Sequence, residues 1–487
     1  VELHDERWRA VSTVALEALE FPTSLRGLML ARIDRLPENL RHLLQDAAVI
    51  GLQFDATLLG NVEYRLRRVE AINPMLERLE ELDLLERRPL AGPSAYAFRH
   101  ILTQETVYLS ILRNERPDLH RTVAESIESL YSSDLDPHTE VLALHFDRSR
   151  QRDKALIYTL QSGIRAQRRF ANRSAIDFYS RALQLSQHVE NAASARWQAA
   201  VGLGDVQQHV GENEDAISFY TAALEEQPLA PPTVRAEVML KIGRAWDKLG
   251  NRDKAESWLR TAAEEVERSG EQAPSIEAEI YNALGWLTLR GGDLSAAQAL
   301  LIRAAGLVER TDDYDVLASI LNRLGAVYFS RGEWQKAVEV VQRSLDIRER
   351  LGDVLGVARS SNNLGILKRD GGDWQGALQT YLRCLEAMRT IGDIEGEAMT
   401  LTNMGGVYTD LGEWVKAEQC LRRSYDLAQH IANTYERAQA NMNLGRLFLR
   451  KGELDHAETF VDTAISLYAQ VGVSANPNVI DAYWLRG

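Results

Sequence analysis

The chain is 487 residues long, 45% hydrophobic and 26% charged, with a formal net charge of −14. That charge makes the chain as a whole a poor partner for nucleic acid, and no apolar run approaches the ~18–20 residues needed to span a bilayer. No charged-then-apolar start reads as a signal peptide, so a cytoplasmic protein with no membrane partner is expected.

Residues 1–23 carry little pattern beyond an amphipathic stretch from Trp8 to Leu19. From Ser24 to Leu36 the apolar set Leu25, Leu28, Met29, Ile33 and Leu36 recurs at helical spacing, and Pro37 opens the next helix at a position it tolerates. That helix carries Leu40, Leu43, Leu44, Ala47, Ala48 and Ile50, and Gly51 ends it. Asp55 is expected to cap a short helix through Leu59. A third helix is expected over 69–85, with Met75, Leu76, Leu79, Leu82 and Leu85 as its buried stripe. Leu84–Arg88 and Tyr96–Arg99 are two short extended segments on either side of a turn between Pro89 and Pro93. Three helices followed by such a pair read as a winged helix over 24–100. Its third helix holds Glu70, Glu77, Glu80, Glu81 and Asp83, which would face phosphates with the wrong sign, so DNA binding is not expected.

A helical connector is expected over 101–160. Near its end Arg148, Arg150, Arg152, Lys154, Arg165, Arg168, Arg169 and Arg173 form a basic run in an acidic chain. It reads either as a solvated helix face or as a docking surface for an acidic partner domain.

Residues 161–487 are organised by a ruler. Gly325, Gly365, Gly405 and Gly445 are 40 residues apart. Each is followed seven residues later by a second glycine (Gly332, Gly372, Gly412, Gly452) and five after that by an alanine (Ala337, Ala377, Ala417, Ala457). Backwards, the same ruler finds Gly285/Gly292/Ala297, Gly243/Gly250/Ala255, Gly204/Gly211/Ala216 and a degenerate Gly163/Phe170/Ala175, making eight repeats. A period in this range is the signature of a helical-hairpin solenoid. The first glycine lies mid-helix, the second ends that helix in a left-handed conformation, and the alanine lies in the return helix. Small residues facing each other let the two helices pack at the short end of the usual ~8–10 Å spacing. Gly487 is 42 residues after Gly445, the interval from Gly243 to Gly285, and both gaps hold an inserted proline (Pro274, Pro477). The chain is therefore expected to be cut inside a ninth repeat.

The order Leu364-Gly365, Gly372-Asp373-Trp374, Ala377, Tyr381 and Leu385 resembles the tetratricopeptide repeat in a 40-residue form. The resemblance covers most of residues 160–470 and implies a right-handed superhelix. The fold class expected is all-α: a winged-helix region with a small β-wing, then an α-solenoid. Trp334, Trp374 and Trp414 fall where that family has a packing aromatic and are expected in the core. Cys384 and Cys420 fall at small packing positions of separate repeats and read as inert structural thiols. The ten histidines show no ligand spacing, so no metal site is expected.

With each repeat glycine at zero and ~100° per residue, one side of the first helix of each unit is polar without being simply charged. For Gly365 this side holds Arg359, Asn362, Asn363, Ile366, Arg369 and Asp370; for Gly405, Met399, Thr402, Asn403, Gly406, Thr409 and Asp410. For Gly445 it holds Gln439, Met442, Asn443, Arg446, Leu449 and Arg450, and Asn322 takes the place of Asn362 one unit earlier. In tetratricopeptide-repeat proteins this side lines the concave groove that holds an extended peptide or partner segment. Asn363, Asn403 and Asn443 repeat at one position, where their amides would either donate to and accept from a peptide backbone or stay solvated. Arg359, Arg369, Arg446 and Arg450 would select carboxylates, with Asp370 and Asp410 setting a mixed field. A small-molecule inducer held between units is the other occupant this face would suit.

A second resemblance covers residues 1 to about 190. Ser24-Leu25-Arg26-Gly27, Ala31-Arg32-Ile33-Asp34-Arg35-Leu36-Pro37, the run Leu44–Gly51 and the run Phe98–Glu105 look like the segment after the nucleotide-binding domain in bacterial STAND-type signalling ATPases. In these, an AAA-like ATPase and a repeat array accompany a nucleotide cyclase or a DNA-binding effector. The resemblance implies that an ATPase core precedes Val1 and that residues 1–23 are its tail. His100 resembles the winged-helix histidine that meets the diphosphate of bound ADP in related switch ATPases, where a ring N–H donates to a phosphate oxygen. Eukaryotic relatives have an Asp beside it, and this chain has Ile101.

No Gly-x-x-x-x-Gly-Lys-Ser/Thr loop and no grouping of nucleophile, base and orienter occurs, so neither an enzyme nor a cofactor is expected within these residues. ADP or ATP would belong to the preceding domain. The function expected is the sensor and autoinhibitory arm of a signalling ATPase, which binds an inducer protein or peptide and relays the event to a nucleotide switch, with oligomerisation left open after activation. The alternative is a repeat scaffold that assembles protein partners without a switch. A phosphate loop upstream of Val1 would favour the first.

Overall fold

The computed structural model describes residues 2–4, 7–9, 23–88, 94–227, 230–270, 272–309 and 311–470. The fold is all-α with two small sheets, and it divides into two compact units, Val1–Leu229 and Ala230–Gly487. Among the described residues no helix is long and apolar enough to cross a membrane.

In the first unit β1 (Glu2–His4) and β2 (Arg7–Arg9) pair antiparallel. The amphipathic stretch expected from Trp8 therefore opens as a strand, and residues 10–22 lie outside the described residues. α1 (Thr23–Asp34) and α2 (Glu38–Ile50) follow; the Pro37 carbonyl takes the first helical bond of α2, from Arg41 N. β3 (Gln53–Asp55) is a strand the sequence does not announce, because three residues carry too little alternation to read. Asp55 caps α3 (Ala56–Arg67) by accepting from Thr57 N at 2.6 Å, and that helix runs on to Arg67 rather than stopping at Leu59. The Ser94 hydroxyl donates to the other Asp55 oxygen at 2.6 Å, so one carboxylate ties helix to sheet.

α4 (Asn73–Glu81) is shorter than the expected 69–85, since Pro74 fits only the first turn and Asp83 turns left-handed at φ 54°. β4 (Leu85–Arg87) and β5 (Ala95–Phe98) pair antiparallel as expected, and β3 joins them in the order β3-β5-β4. The turn at 89–93 lies outside the described residues. Leu43, Leu44, Leu59, Leu76 and Leu79 form the centre of this region's core.

α5 (Ile101–Ser110), α6 (Arg116–Leu130) and α7 (Thr139–Arg148) share a second core with the first two helical hairpins, α8 (Arg152–Arg168) with α9 (Asn172–Ser186) and α10 (Ala193–Val210) with α11 (Asn213–Glu226). The boundary expected at 160/161 falls inside α8, whose buried Ala155, Leu156, Leu160 and Ala166 belong to one continuous stripe. Two histidines are buried here, their Nδ1 atoms 2.8 Å apart, with the Tyr108 hydroxyl 3.0 Å from His120 Nε2. Burial pushes His120 down to about 2 and His145 to about 3, so both are neutral near pH 7. Their contribution to stability is present above the unfolded value of ~6.5 and is lost as pH falls below it. Part of the basic run is committed within this unit: Lys154 pairs with Glu128 at 2.5 Å and Arg165 donates to the Asp136 carbonyl at 2.6 Å.

Among the described residues the second unit contains six more hairpins. They are α12 (Pro232–Lys248) with α13 (Arg252–Ser269), α14 (Pro274–Arg290) with α15 (Leu294–Val308), and α16 (Tyr314–Ser330) with α17 (Trp334–Leu351). Then come α18 (Val354–Asp370) with α19 (Trp374–Ile391), α20 (Ile394–Asp410) with α21 (Trp414–His430), and α22 (Thr434–Lys451) with α23 (Leu454–Gln470). The eight hairpins among the described residues match the eight repeats read from the ruler. A ninth would fall on residues outside them.

Each repeat glycine packs its bare backbone against the return helix. A Cβ built at Gly365 would lie 2.5 Å from the Tyr381 ring, and one at Gly405 would lie 2.6 Å from Leu421 and 3.4 Å from the Ala417 carbonyl. Gly163, Gly204, Gly243, Gly285, Gly325 and Gly445 face Tyr179, Tyr220, Leu259, Leu301, Val341 and Val461 in the same way. The alanines sit beneath: Ala337, Ala377 and Ala417 are fully buried. Gly332, Gly372, Gly412 and Gly452 all take positive φ, 74° to 85°, as the turn requires. Two of the three tryptophans depart from expectation, while Trp414 is partly buried against the core around Ala417, Leu421 and Leu444. Trp334 and Trp374 are 42% and 39% exposed at the first position of their helices, with Trp334 packed edge-on against Phe329 at 4.9 Å between ring centres. Cys384 is buried with its sulfur 3.2 Å from the Thr400 hydroxyl, and burial raises both cysteine thiols, which suits an inert role.

Between repeats the chain turns through Gly352-Asp353 and Gly392-Asp393, a left-handed glycine (φ 68° and 72°) followed by an aspartate that caps the next helix. In the following repeat the same turn is Ala432-Asn433, and Ala432 is held at φ 55°. A Cβ in the left-handed region costs roughly 1–2 kcal/mol, against which glycine's extra unfolded-state freedom sets roughly 0.4–1 kcal/mol. Ala432→Gly should therefore raise stability by up to ~1 kcal/mol, read as an upward shift of the thermal unfolding midpoint; a downward shift would mean the turn is not strained.

Candidate functional site

Of the first helices of consecutive hairpins in the second unit, α14, α16, α18 and α20 are joined by side chains in fixed register. Counting from the packing glycine, the residue two before it donates to the residue three before the preceding glycine. Asn363 Nδ2 donates to Asn322 Oδ1 at 3.2 Å, and Asn403 Nδ2 donates to Asn362 Oδ1 at 2.9 Å. One step earlier Arg323 takes the donor's part, its Nη1 reaching Asn282 Oδ1 at 3.1 Å and the Asn282 carbonyl at 2.7 Å. The relay stops at Thr402, whose short hydroxyl is buried against Ser424 at 2.7 Å. Asn443, left without an amide acceptor, turns back to the Gln439 carbonyl at 2.9 Å.

The asparagine ladder is therefore partly committed: one amide N–H of Asn363 and one of Asn403 stitch one repeat to the next, a use that neither the peptide-gripping nor the solvated reading includes. Two other residues assigned to this face, Thr402 and Met442, are buried at 6% and 2% exposure, since three before the glycine is the seam between helices. Asn282 and Arg323 escape a reading of the sequence helix by helix, although the register of donor and acceptor positions points to both; Gly406, placed on the polar side, carries no signal of the space it leaves.

A second register carries charge. Arg369 reaches Asp410 at 2.8 and 3.0 Å through Nη2 and Nε. At the equivalent positions three repeats earlier the charges are exchanged, with Asp247 and Arg290 2.8 Å apart. Asp370 is exposed beside this pair; lost hydration raises its pKa, Asp410 adds to that, and Arg369 opposes it. Arg359 is exposed near the start of α18, and Gln439 donates to the Tyr435 hydroxyl at 3.0 Å.

Between α18, α20 and α22 lies a cavity of about 240 Å³, lined by Arg369, Gly406, Asp410, Asn443, Arg446 and Arg450 among others. Five of the residues singled out from sequence meet here. Gly406 makes the room: a Cβ there would come 2.9 Å from Arg369 Nη1, whereas the neighbouring repeats carry Ile366 and Arg446 at that position. The lining holds three guanidiniums and the Asp410 carboxylate that Arg369 engages, a basic set of groups suited to an anionic group. His100 lies elsewhere, in the first unit. It is exposed, in extended conformation between β5 and α5, and its ring makes no capping bond.

The stitching bonds are each worth ~1 kcal/mol. Asn403→Ala should lower the stability of the second unit by about that amount, and Asn443→Ala, which breaks only a bond within its own helix, by less. Equal effects in urea unfolding would contradict the relay.

Residues 316–390 and 396–470 match the family model of the tetratricopeptide repeat. Over 173 residues the chain is 27% identical to an uncharacterized protein of Rhizobium meliloti, a stretch that covers 36% of this chain and 17% of that relative. In fold it is similar to a Signal Transduction ATPase with Numerous Domains (STAND) protein with a tetratricopeptide repeat sensor from Pyrococcus horikoshii, with a TM-score of 0.60 and 15% identity over 94% of this chain and 67% of that one. It is also similar to the apo form of RapI, with a TM-score of 0.52 and 12% identity over 74% of this chain and 99% of that one. At such identities the likeness is one of fold. The helical hairpins over residues 316–470, with their packing glycines, left-handed turns and buried alanines, are tetratricopeptide repeats.

Proposed function

We propose that this chain is the sensor arm of a STAND-type signalling ATPase, and that the first-helix face of its second unit captures a protein or peptide inducer. The observation that carries the reading is the cationic cavity between α18, α20 and α22, set in a face whose polar groups are held in register by the relay. The fold likeness to a STAND protein with a tetratricopeptide repeat sensor supports the assignment of context. The region of residues 24–100, with four helices and a three-stranded sheet, is then a winged helix, with His100 the group that meets the diphosphate of ADP held by a preceding domain; its exposure makes the ring reachable. Nucleotide and catalysis belong to that domain, and this chain contributes no cofactor site or catalytic group of its own. Capture of the inducer drives the switch only through a difference in affinity between closed and open states.

Arg450→Glu reverses a charge at the cavity, and Arg423→Glu makes the same change on the exposed side of α21. In capture from host lysate, Arg450→Glu should weaken retention of the inducer about tenfold, the scale of a charge-assisted hydrogen bond, with melting unchanged. Arg423→Glu should retain it. Equal loss in both variants would reduce the effect to net charge, and no loss in Arg450→Glu would remove the cavity from the function.

A further inference from the structure

One residue breaks the neutral pattern of the relay. The position two before the packing glycine is Asn363, Asn403 and Asn443 in three successive repeats, and Arg323 in the repeat before them. An amide suffices for the bond made there, as Asn363 and Asn403 demonstrate at 3.2 and 2.9 Å. Arg323 brings a full charge onto a partly buried seam instead. Its Nη1 is fixed by the two Asn282 oxygens, and its guanidinium carbon lies 5.4 Å from the centre of the Trp286 ring. Trp286 follows its packing glycine directly, where the next repeats have Ala326, Ile366 and Gly406.

Among the described residues no carboxylate lies within ion-pair distance of this cation. Asp247 is 2.8 Å from Arg290 and Glu279 is 2.6 Å from Arg244, and among the described residues Arg323 has no ion pair. Desolvation, with repulsion from Arg244 added, brings Arg323 down to about 10 against a smaller pull from Asp247. It stays charged near pH 7, and a desolvated charge without a counter-ion disfavours the folded state. Arg244, Arg290 and Arg323 against Asp247 and Glu279 leave one positive charge uncompensated on this face.

We propose that Arg323, oriented by Asn282 and Trp286 and seconded by Arg244, is an oxyanion site for a carboxylate or phosphate group of the ligand carried on this face. The assignment rests on the reading of that face given above. A guanidinium whose Nη1 is tied down and whose plane lies near an indole ring offers its remaining N–H groups in a fixed direction, the geometry that favours a planar or tetrahedral oxyanion over a neutral group.

The test uses the full chain at constant ionic strength with two probes, inorganic phosphate and hexaglutamate, and with hexaglutamine as the uncharged control. Arg323→Asn copies the residue of the next repeats, and Arg323→Gln is a second neutral replacement should the first fold poorly. The wild type should bind phosphate or hexaglutamate in calorimetric titration, which of the two binds naming the source of the oxyanion. Either variant should bind about tenfold more weakly or worse, while melting no lower without anion. Undiminished binding by the variants overturns the site, and so does the absence of binding to both probes in the wild type. Hexaglutamate binding that survives Arg323→Asn and is lost in Arg450→Glu would remove this site while leaving the reading of the face intact.

Discussion

Each hairpin closes on a missing side chain. The repeat glycine lets the ring or branched side chain sixteen residues on lie directly against the first helix, with the buried alanine and its carbonyl beneath, as at Gly405, Leu421 and Ala417. Because that approach recurs at all eight units from Gly163 to Gly445, the two helices of every hairpin are clamped at one distance and one phase. The phase decides which residues of the first helix point away from its partner. Buried Leu364 and Leu367 go to the core, while Arg359 and Asp370 are left exposed. The face available to a ligand is thus a consequence of the packing of glycine against the return helix.

Once the phase is set, first helices of successive repeats meet along a polar seam. There the choice between asparagine, arginine and threonine has separable consequences. Asparagine above asparagine gives a neutral bond, threonine is short enough to fall into the hairpin and ends the relay, and arginine brings a charge onto the partly buried seam. The charge register behaves likewise, since Arg369–Asp410 and Asp247–Arg290 occupy equivalent positions with opposite polarity. The structural role at each position needs only complementarity. The residue chosen to supply it sets the local sign of the face.

The repeats were legible in the sequence because glycine, glycine and alanine at fixed offsets are direct demands of backbone geometry and close packing. They reappear as close approach of a bare backbone to the return helix, positive φ and full burial. The helices of residues 23–81 were legible in their apolar spacing, with ends misplaced where Asp83 turns left-handed and where α3 continues past Leu59. β3 was not, since three residues cannot display a period. The candidate face was legible only in part. A helical wheel treats one helix alone, so it could say that Asn363 and Asn403 share a face with Arg369 and Asp410. It could not say that one N–H of each amide is already engaged by the helix before it, nor that Trp334 and Trp374 would be left half uncovered.

The central claim is that ligand meets the first helices and leaves the return helices facing solvent. A photoreactive benzoylphenylalanine placed at Arg359 on α18, and in a second protein at Val415 on α21, which is 72% exposed, reads this directly. Both proteins would be irradiated with the captured partner and analysed by mass spectrometry. Adducts from position 359 and none from 415 are the predicted result. Adducts from 415 alone, or equally from both, would contradict it.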